Sequence, residues 1–306
     1  MFIEDSVMPH RDGSACGHAE PRMSKSEARH QRKYALGVGP QRKWKMLAGA
    51  IVVVISGAAC GDEPPATGEP VPAALSIAAA SDLRYALDEL VTAYRKQYPD
   101  TGVSVSYGSS GNLFAQIANG APFDLFLSAD IDYPRQLVAQ GHAVGDTLFT
   151  YAVGRLVVWV PPASTLDIEA RGLAVLGEPA VTRVAIANPD HAPYGRAARA
   201  ALASAGLADV VTPKLVLGDT VSQAFQFAQT GGADAGVVAL SLVRAPVSEG
   251  SGRYALVPAD AHPPLVQGGV TLVNAARPDA AASFRSLMAS EAGREILARY
   301  GFEMPQ

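Results

Sequence analysis

The chain has 306 residues, 48% of them apolar and 18% charged, with a formal net charge of −4. This length has room for two ordinary domains, and the composition suits a soluble globular protein with a sizeable core. No basic run or aromatic–basic stripe is present, which argues against nucleic acid as a partner, and Cys16, Cys60, His142, His191 and His262 lack the spacing of a metal site.

Residues 1–40 are polar and without an apolar period. "RKWKM" (Arg42–Met46) then supplies a cationic stretch, and "LAGAIVVVISGAA" (Leu47–Ala59) a 13-residue apolar run. A membrane span needs about 20 residues, so this run fits the apolar region of an export signal better. "SGAAC" resembles a bacterial lipoprotein processing site ending at Cys60, although Gly57 stands where a large aliphatic residue is usual; a plainly cleaved signal or an uncleaved anchor is the alternative. Residues 1–59 are therefore expected to be an N-terminal extension and export signal, and 60–73 a lipidated tether rich in Pro, Gly and acid. Nine of the 25 Lys+Arg and five of the 29 Asp+Glu lie in residues 1–59, leaving 16 basic against 24 acidic residues beyond them. The processed chain would carry a formal charge of about −8.

Alternating strand and helix signals follow. "LSIAAA" (Leu75–Ala80) reads as a buried strand, and Leu83, Leu87, Leu90 and Tyr94 share one face of a helix. "VSVSYG" is a strand, "NLFAQIANG" a short helix closed by Gly120, "FDLFLSAD" a strand, and "YPRQLVAQG" a helix with Pro134 in its first turn. Beyond "LVVWVPP" come strand "RVAIANPD", helix "YGRAARAALASAG", strand "KLVLGD", helix "VSQAFQFAQTGG" and strand "AGVVAL". A late strand, Gly268–Asn274, precedes one final helix from Ala280 to about Arg299. Repeated β-α units predict an α/β protein with parallel-rich sheets flanked by helices. Because the late strand and final helix follow a complete second set of units, two lobes are expected: residues 74–153 with 263–306, and residues 154–262.

Four turns share one pattern. Ser81 follows the first strand, "YGSSGN" the second, and "NPDHAPYGRA" and "LGDTVSQA" do the same in the second half; each opens a helix at the carboxyl end of a strand, where open α/β sheets bind ligands. Helix N-termini there offer free N–H groups and a positive dipole end, a combination suited to an oxyanion, and Gly108, Gly111 and Gly195 leave room for close backbone approach. Each turn alone has a plainer reading: Ser81 as a helix cap, "GSSG" as a flexible turn, Tyr194 as a packing residue, Val221 as an ordinary first-turn residue.

"AAASDL", "YGSSGNLFAQIANGAPFDLFLSAD", "NPDHAPYG" and "SEAGREILARYGF" resemble, in order and spacing, the periplasmic molybdate-binding proteins of bacterial ABC transporters (the ModA type, within the type II periplasmic binding proteins). The resemblance runs from about Leu75 to Phe302. It implies a two-lobed periplasmic-binding-protein fold closing over molybdate or tungstate in the interlobe cleft. By position it implies contacts from Ser81, Ser110 and the backbone at Tyr194 and Val221, with no catalytic residue, no cofactor and no metal beyond the molybdenum of the anion. The implied partners are the anion and the membrane permease of an ABC importer, for a monomeric protein that meets the membrane only through its anchor. Two departures are visible. "GVVAL" places Ala239 where some relatives donate a tyrosine hydroxyl, a role open to Tyr194, and Asp82 stands beside Ser81, where a carboxylate would repel a dianion and is expected to turn away.

An enzyme on the same fold would need a nucleophile or an acid–base pair at these turns. Asp82 and His191 are the candidates, and no motif links them; Asp124 and Asp130 read as caps rather than a cation site. A receptor for sulfate or phosphate is the other alternative, in which an inward Asp82 would accept a proton from hydrogen phosphate.

Overall fold

The structure, a computed structural model, describes residues 74–305. The expected export signal, Cys60 and the expected tether lie outside the described residues. Among the described residues no helix is long and apolar enough to cross a membrane.

Two five-stranded sheets organise the chain. The first contains β1 (Leu75–Ala80), β2 (Val103–Gly108), β3 (Leu125–Ser128), β4 (Phe149–Gly154) and the late β10 (Leu265–Thr271), in the order β2-β1-β3-β10-β4. The second contains β5 (Leu156–Val160), β6 (Val184–Ala187), β7 (Leu215–Gly218), β8 (Ala235–Ala239) and β9 (Arg253–Leu256), in the order β7-β6-β8-β5-β9. Each sheet carries a lobe. The helices are α1 (Arg84–Gln97), α2 (Ser110–Ala118), α3 (Asp132–Ala139), α4 (Ile168–Arg171), α5 (Pro193–Ser204), α6 (Ala208–Val211), α7 (Val221–Gln229), α8 (Leu240–Val243), α9 (Pro278–Ala289) and α10 (Glu291–Arg299).

The sheets are mixed rather than dominated by parallel pairs. β1 runs parallel to β2 and β3, and β6 to β7 and β8, as the β-α units require. β10 is antiparallel to β3 and β4, and β5 to β8 and β9. The cause is the crossing: Arg155 alone separates β4 from β5, so no helix intervenes and the strand runs straight from one sheet into the other. When the chain returns, β10 enters the first sheet between β3 and β4. β4 and β9 are strands that the sequence pattern does not announce. The half-exposed "RYAL" of β9 sits at a sheet edge, where little apolar signal is needed.

The alternation of side chains along β1 explains its run of small residues. Leu75, Ile77 and Ala79 face a core completed by Leu83, Leu87 and Leu90 of the α1 region and by Phe284 and Leu297 of α9 and α10. Ala78 faces the other way, into a smaller core with Leu113, Ile117, Phe126 and Leu137. Both faces are therefore covered, and polar alternation is absent. The second lobe has one continuous core in which Trp159 packs edge-on against Phe225 of α7. Truncating a side chain as buried as Phe284 or Trp159 to alanine would cost about 3–5 kcal/mol.

The single final helix expected from Ala280 to Arg299 is two helices. Ser290 adopts an extended conformation between them and its hydroxyl accepts the Gly293 N–H, capping α10. The capping preference of serine outweighed the uninterrupted apolar period.

Candidate functional site: a closed interlobe cavity

The parallel strands β1, β2 and β6 end on one side, where the two lobes meet. A small cavity of about 10 Å³ lies there, and Ser81, Ser110, Tyr194 and Val221 all contribute to its wall, with Gly108, Ser109 and Pro193. The four separate turns of the sequence thus converge on one place. A larger groove beside it, bordered by Arg84, Asp219 and Gln226, is open to solvent and has none of Ser81, Ser110, Tyr194 or Val221 in its wall.

Ser110 is the first residue of α2 and is completely buried. Its Oγ accepts the Ala129 N–H at 3.0 Å. The oxygen is held by that bond, and the hydroxyl hydrogen remains to be donated into the cavity. Ser81 opens a 3-10 turn, Ser81–Leu83, that runs into α1. It makes no side-chain cap bond, so the cap reading of Ser81 is corrected. The reason is geometric: the tight turn places Ser81 inside the first turn rather than before it. Its Oγ accepts the Ser222 N–H across the lobes at 3.4 Å, and its carbonyl accepts the Ser222 hydroxyl at 2.8 Å.

Tyr194 and Val221 stand at helix starts. Each lies in the first turn of its helix, α5 or α7, where N–H groups have no intrahelical acceptor. Pro193 at the head of α5 fits because the first position needs no N–H. Thr220 caps α7 by accepting the Gln223 N–H. The Tyr194 hydroxyl is engaged elsewhere: it lies 3.3 Å from Gln267 Nε2 and interacts with the Asp82 carboxyl. Ala239, buried at the end of β8, offers no hydroxyl.

Asp82 does not turn out to solvent. It is 1% exposed and belongs to the cavity wall. Gln267 Nε2 donates to its Oδ2 at 2.5 Å, while Oδ1 has no partner. Burial raises its pKa from 3.8 to about 6, against the lowering effect of the hydrogen bonds from Gln267, Tyr194 and backbone. Burial and the nearby Asp82 charge hold both Tyr151 and Tyr194 well above the ordinary tyrosine range, so both are neutral phenols.

Several cross-lobe contacts close the cavity. His191 Nδ1 pairs with Ser109 Oγ at 2.8 Å, and its carbonyl accepts the Gly111 N–H at 2.9 Å. Ser241 donates to the Asp82 carbonyl at 2.7 Å. Arg196 Nη2 meets Asp130 Oδ2 at 2.6 Å and Arg196 Nη1 donates to the Tyr133 hydroxyl. His191 therefore ties the lobes together and is not paired with Asp82 as an acid–base couple would be. Asp130 also accepts the Asp132 N–H, and Asp124 accepts from Ser76 and Arg277 backbone, so both acids have structural partners. Among the described residues no group of three or more His, Cys, Asp or Glu could hold a metal ion. Sequence reasoning passed over Ser109, Ser222, Ser241 and Gln267. For Gln267 a signal existed, a lone amide in the apolar strand "LVQGGVT".

Two α/β lobes joined by one direct strand crossing and one returning loop, with a buried cavity at their shared edge, define a solute-binding protein of the two-lobed extracytoplasmic class. The chain belongs to the bacterial extracellular solute-binding protein family, whose sequence pattern matches residues 75–303. It is 39% identical to the molybdate-binding protein ModA of Rhodobacter capsulatus over 204 residues, 66% of this chain and 78% of that one. It is 36% identical to the molybdate-binding protein ModA of Azotobacter vinelandii over 232 residues, 75% of this chain and 90% of that one. Among solved structures, the periplasmic molybdate-binding protein of Azotobacter vinelandii superposes with a TM-score of 0.71 at 34% identity, covering 76% of this chain and all of that one.

Proposed function

We propose that this protein captures molybdate, or tungstate, outside the cytoplasm and delivers it to the membrane permease of an ABC importer. The anion sits in the interlobe cavity, receives hydrogen bonds from the Ser81 and Ser110 hydroxyls and from the backbone N–H groups of Tyr194 and Val221, and is released without chemical change. The observation that carries this reading is the Ser110 hydroxyl, whose oxygen is tied down by Ala129 while its hydrogen is left for a ligand. The relatives named as molybdate-binding proteins support the choice of anion.

A tetrahedral dianion held without a facing cation needs several fixed donors in a dry site. A hydrogen bond to a charged group contributes about 1.5–3 kcal/mol, and strand-anchored helix starts fix such donors in advance. The lobes are residues 74–153 with 263–306, and 154–262. Processing at Cys60 gives a lipid-anchored monomer on a short tether; a Bacillus subtilis relative at 29% identity is named a putative substrate-binding lipoprotein. Calorimetric titration with molybdate, tungstate, sulfate and phosphate tests the reading. Tight one-to-one binding of molybdate or tungstate is expected, and preference for sulfate or phosphate would replace it with a different oxyanion receptor.

A further inference from the structure

The binding reading above makes no use of the most unusual group in the cavity wall, the Asp82 carboxyl. A carboxylate and a dianion confined together in a dry site repel each other strongly. Among the described residues no cation compensates. α5 presents Tyr194 to the carboxyl, β4 presents Tyr151, and β10 presents Gln267, all uncharged. α7 has no ionisable residue, and neither does α8, whose Ser241 bonds the Asp82 backbone. On α1, Arg84 lies over the Tyr107 ring, and Asp88 accepts the Tyr107 hydroxyl.

The buried cluster is also short of a donor. Asp82 Oδ1 and Gln267 Oε1 are both buried and both without a partner. Two orphaned acceptors on neighbouring side chains already joined by a hydrogen bond mark the place where one proton would fit. An amide can present its nitrogen to a carboxylate or, turned over, its oxygen to a carboxylic acid, so Gln267 matches either state.

We propose that Asp82 is the proton-carrying residue of the anion site, so that capture of a dianion is coupled to uptake of one proton. The balance is simple: the ionised carboxylate, a solvent proton and the dianion combine to give the neutral carboxylic acid beside the bound dianion. No covalent bond to the anion forms, and release returns the proton. The inference rests on the oxyanion reading and sets its pH dependence. Gln267 is a positioning residue in this scheme, presenting whichever amide atom the carboxyl requires.

The test is calorimetric titration of the full chain with sodium molybdate at pH 7 and pH 8, where molybdate remains a dianion, in two buffers of different ionisation enthalpy. Close to one proton should be taken up per anion, and Kd should rise about five- to tenfold from pH 7 to pH 8. Asp82→Asn should bind with no proton uptake and no such slope, and more tightly than the unmodified chain at pH 8. Infrared spectroscopy should show a protonated-carboxyl band on molybdate addition that Asp82→Asn lacks. Should that variant fail to fold, proton uptake and the infrared band in the unmodified chain still decide. Molybdate binding with no proton uptake and equal Kd at both pH values would overturn the inference and leave the oxyanion reading standing. Failure to bind molybdate or tungstate at all would overturn both.

Discussion

Arg196 and Asp130 form a 2.6 Å ion pair that joins α5 of one lobe to the turn after β3 of the other. Arg196 stands in the first turn of α5, beside the cavity, but is not one of the residues that form its wall. Its guanidinium instead meets Asp130 and Tyr133, whose ring it also covers at 5.5 Å. The pair is partly exposed, so it is expected to contribute about 0.5–1 kcal/mol to closure. Arg196→Ala should therefore weaken molybdate binding by roughly two- to fivefold. The loss should appear mainly as faster release, measured by stopped-flow fluorescence, and should shrink in high salt. Loss of all binding would show that Arg196 pairs with the ligand itself.

Ser110 and Ser81 carry the opposite expectation. Ser110→Ala removes a donor to the anion, with an expected loss of about 1–3 kcal/mol in affinity. It also leaves the Ala129 N–H without its acceptor, so a stability loss of about 1 kcal/mol should accompany it. Ser81→Ala should lose similar affinity with no cap cost to its own helix, which Ser81 does not cap, and should free the Ser222 N–H from a long hydrogen bond. Titration of both variants beside their denaturant unfolding curves separates the two effects. If both serine changes leave affinity unaltered, the anion is held elsewhere.

Much of this arrangement was legible because local chemistry and fold agree where strands are buried and helices begin. "LSIAAA" and "VSVSYG" are strands at the residues expected, and the four cavity-lining turns are strand ends that the parallel topology gathers in space. What could not be read depends on partners distant in sequence. β4 and β9 are strands because other strands flank or border them, not because of their own pattern. The direction of the Asp82 side chain depends on Gln267, 185 residues away. Gln267 lies within an apolar strand and Asp82 in the turn that follows another, and only the fold brings them together.

Gly111 is needed for space rather than for an unusual backbone angle. A Cβ there would lie 2.6 Å from the His191 carbonyl oxygen and 2.8 Å from the Tyr133 hydroxyl, both across or beside the interlobe seam. Overpacking of this kind costs about 1–3 kcal/mol, and here the cost falls on the closed arrangement. Gly111→Ala should fold with near-normal stability yet bind molybdate about tenfold or more weakly. Small-angle scattering at saturating molybdate should show a more open molecule than the unmodified chain. Equal affinity and equal radius would mean that the seam relaxes freely.

The anchoring proposed at Cys60 has its own test. In a bacterial host, Cys60→Ser should move the protein from the membrane fraction to the soluble fraction without changing its affinity for molybdate. Membrane association that survives the change would assign the anchor to another feature of the N-terminal region.

The buried Asp82 carboxyl should also leave a mark on stability in the absence of any ligand. Burial raises its pKa from 3.8 to about 6, so the folded protein holds this proton more tightly than the unfolded chain does. The sign follows: the stabilisation is fully present below about pH 4 and is lost as pH rises through 6. Each tenfold change in proton affinity corresponds to about 1.4 kcal/mol, which makes the whole loss about 3 kcal/mol. Asp82→Asn cannot ionise and should not show it. The difference in unfolding free energy between the unmodified chain and the variant should move by about 2 kcal/mol in the variant's favour from pH 4 to pH 7. Urea unfolding at half-unit steps across that range gives the difference directly, and groups that titrate alike in both proteins cancel. A difference that stays constant from pH 4 to pH 7 would mean that the carboxyl keeps its ordinary acidity, its charge being accommodated without cost in the interlobe cluster.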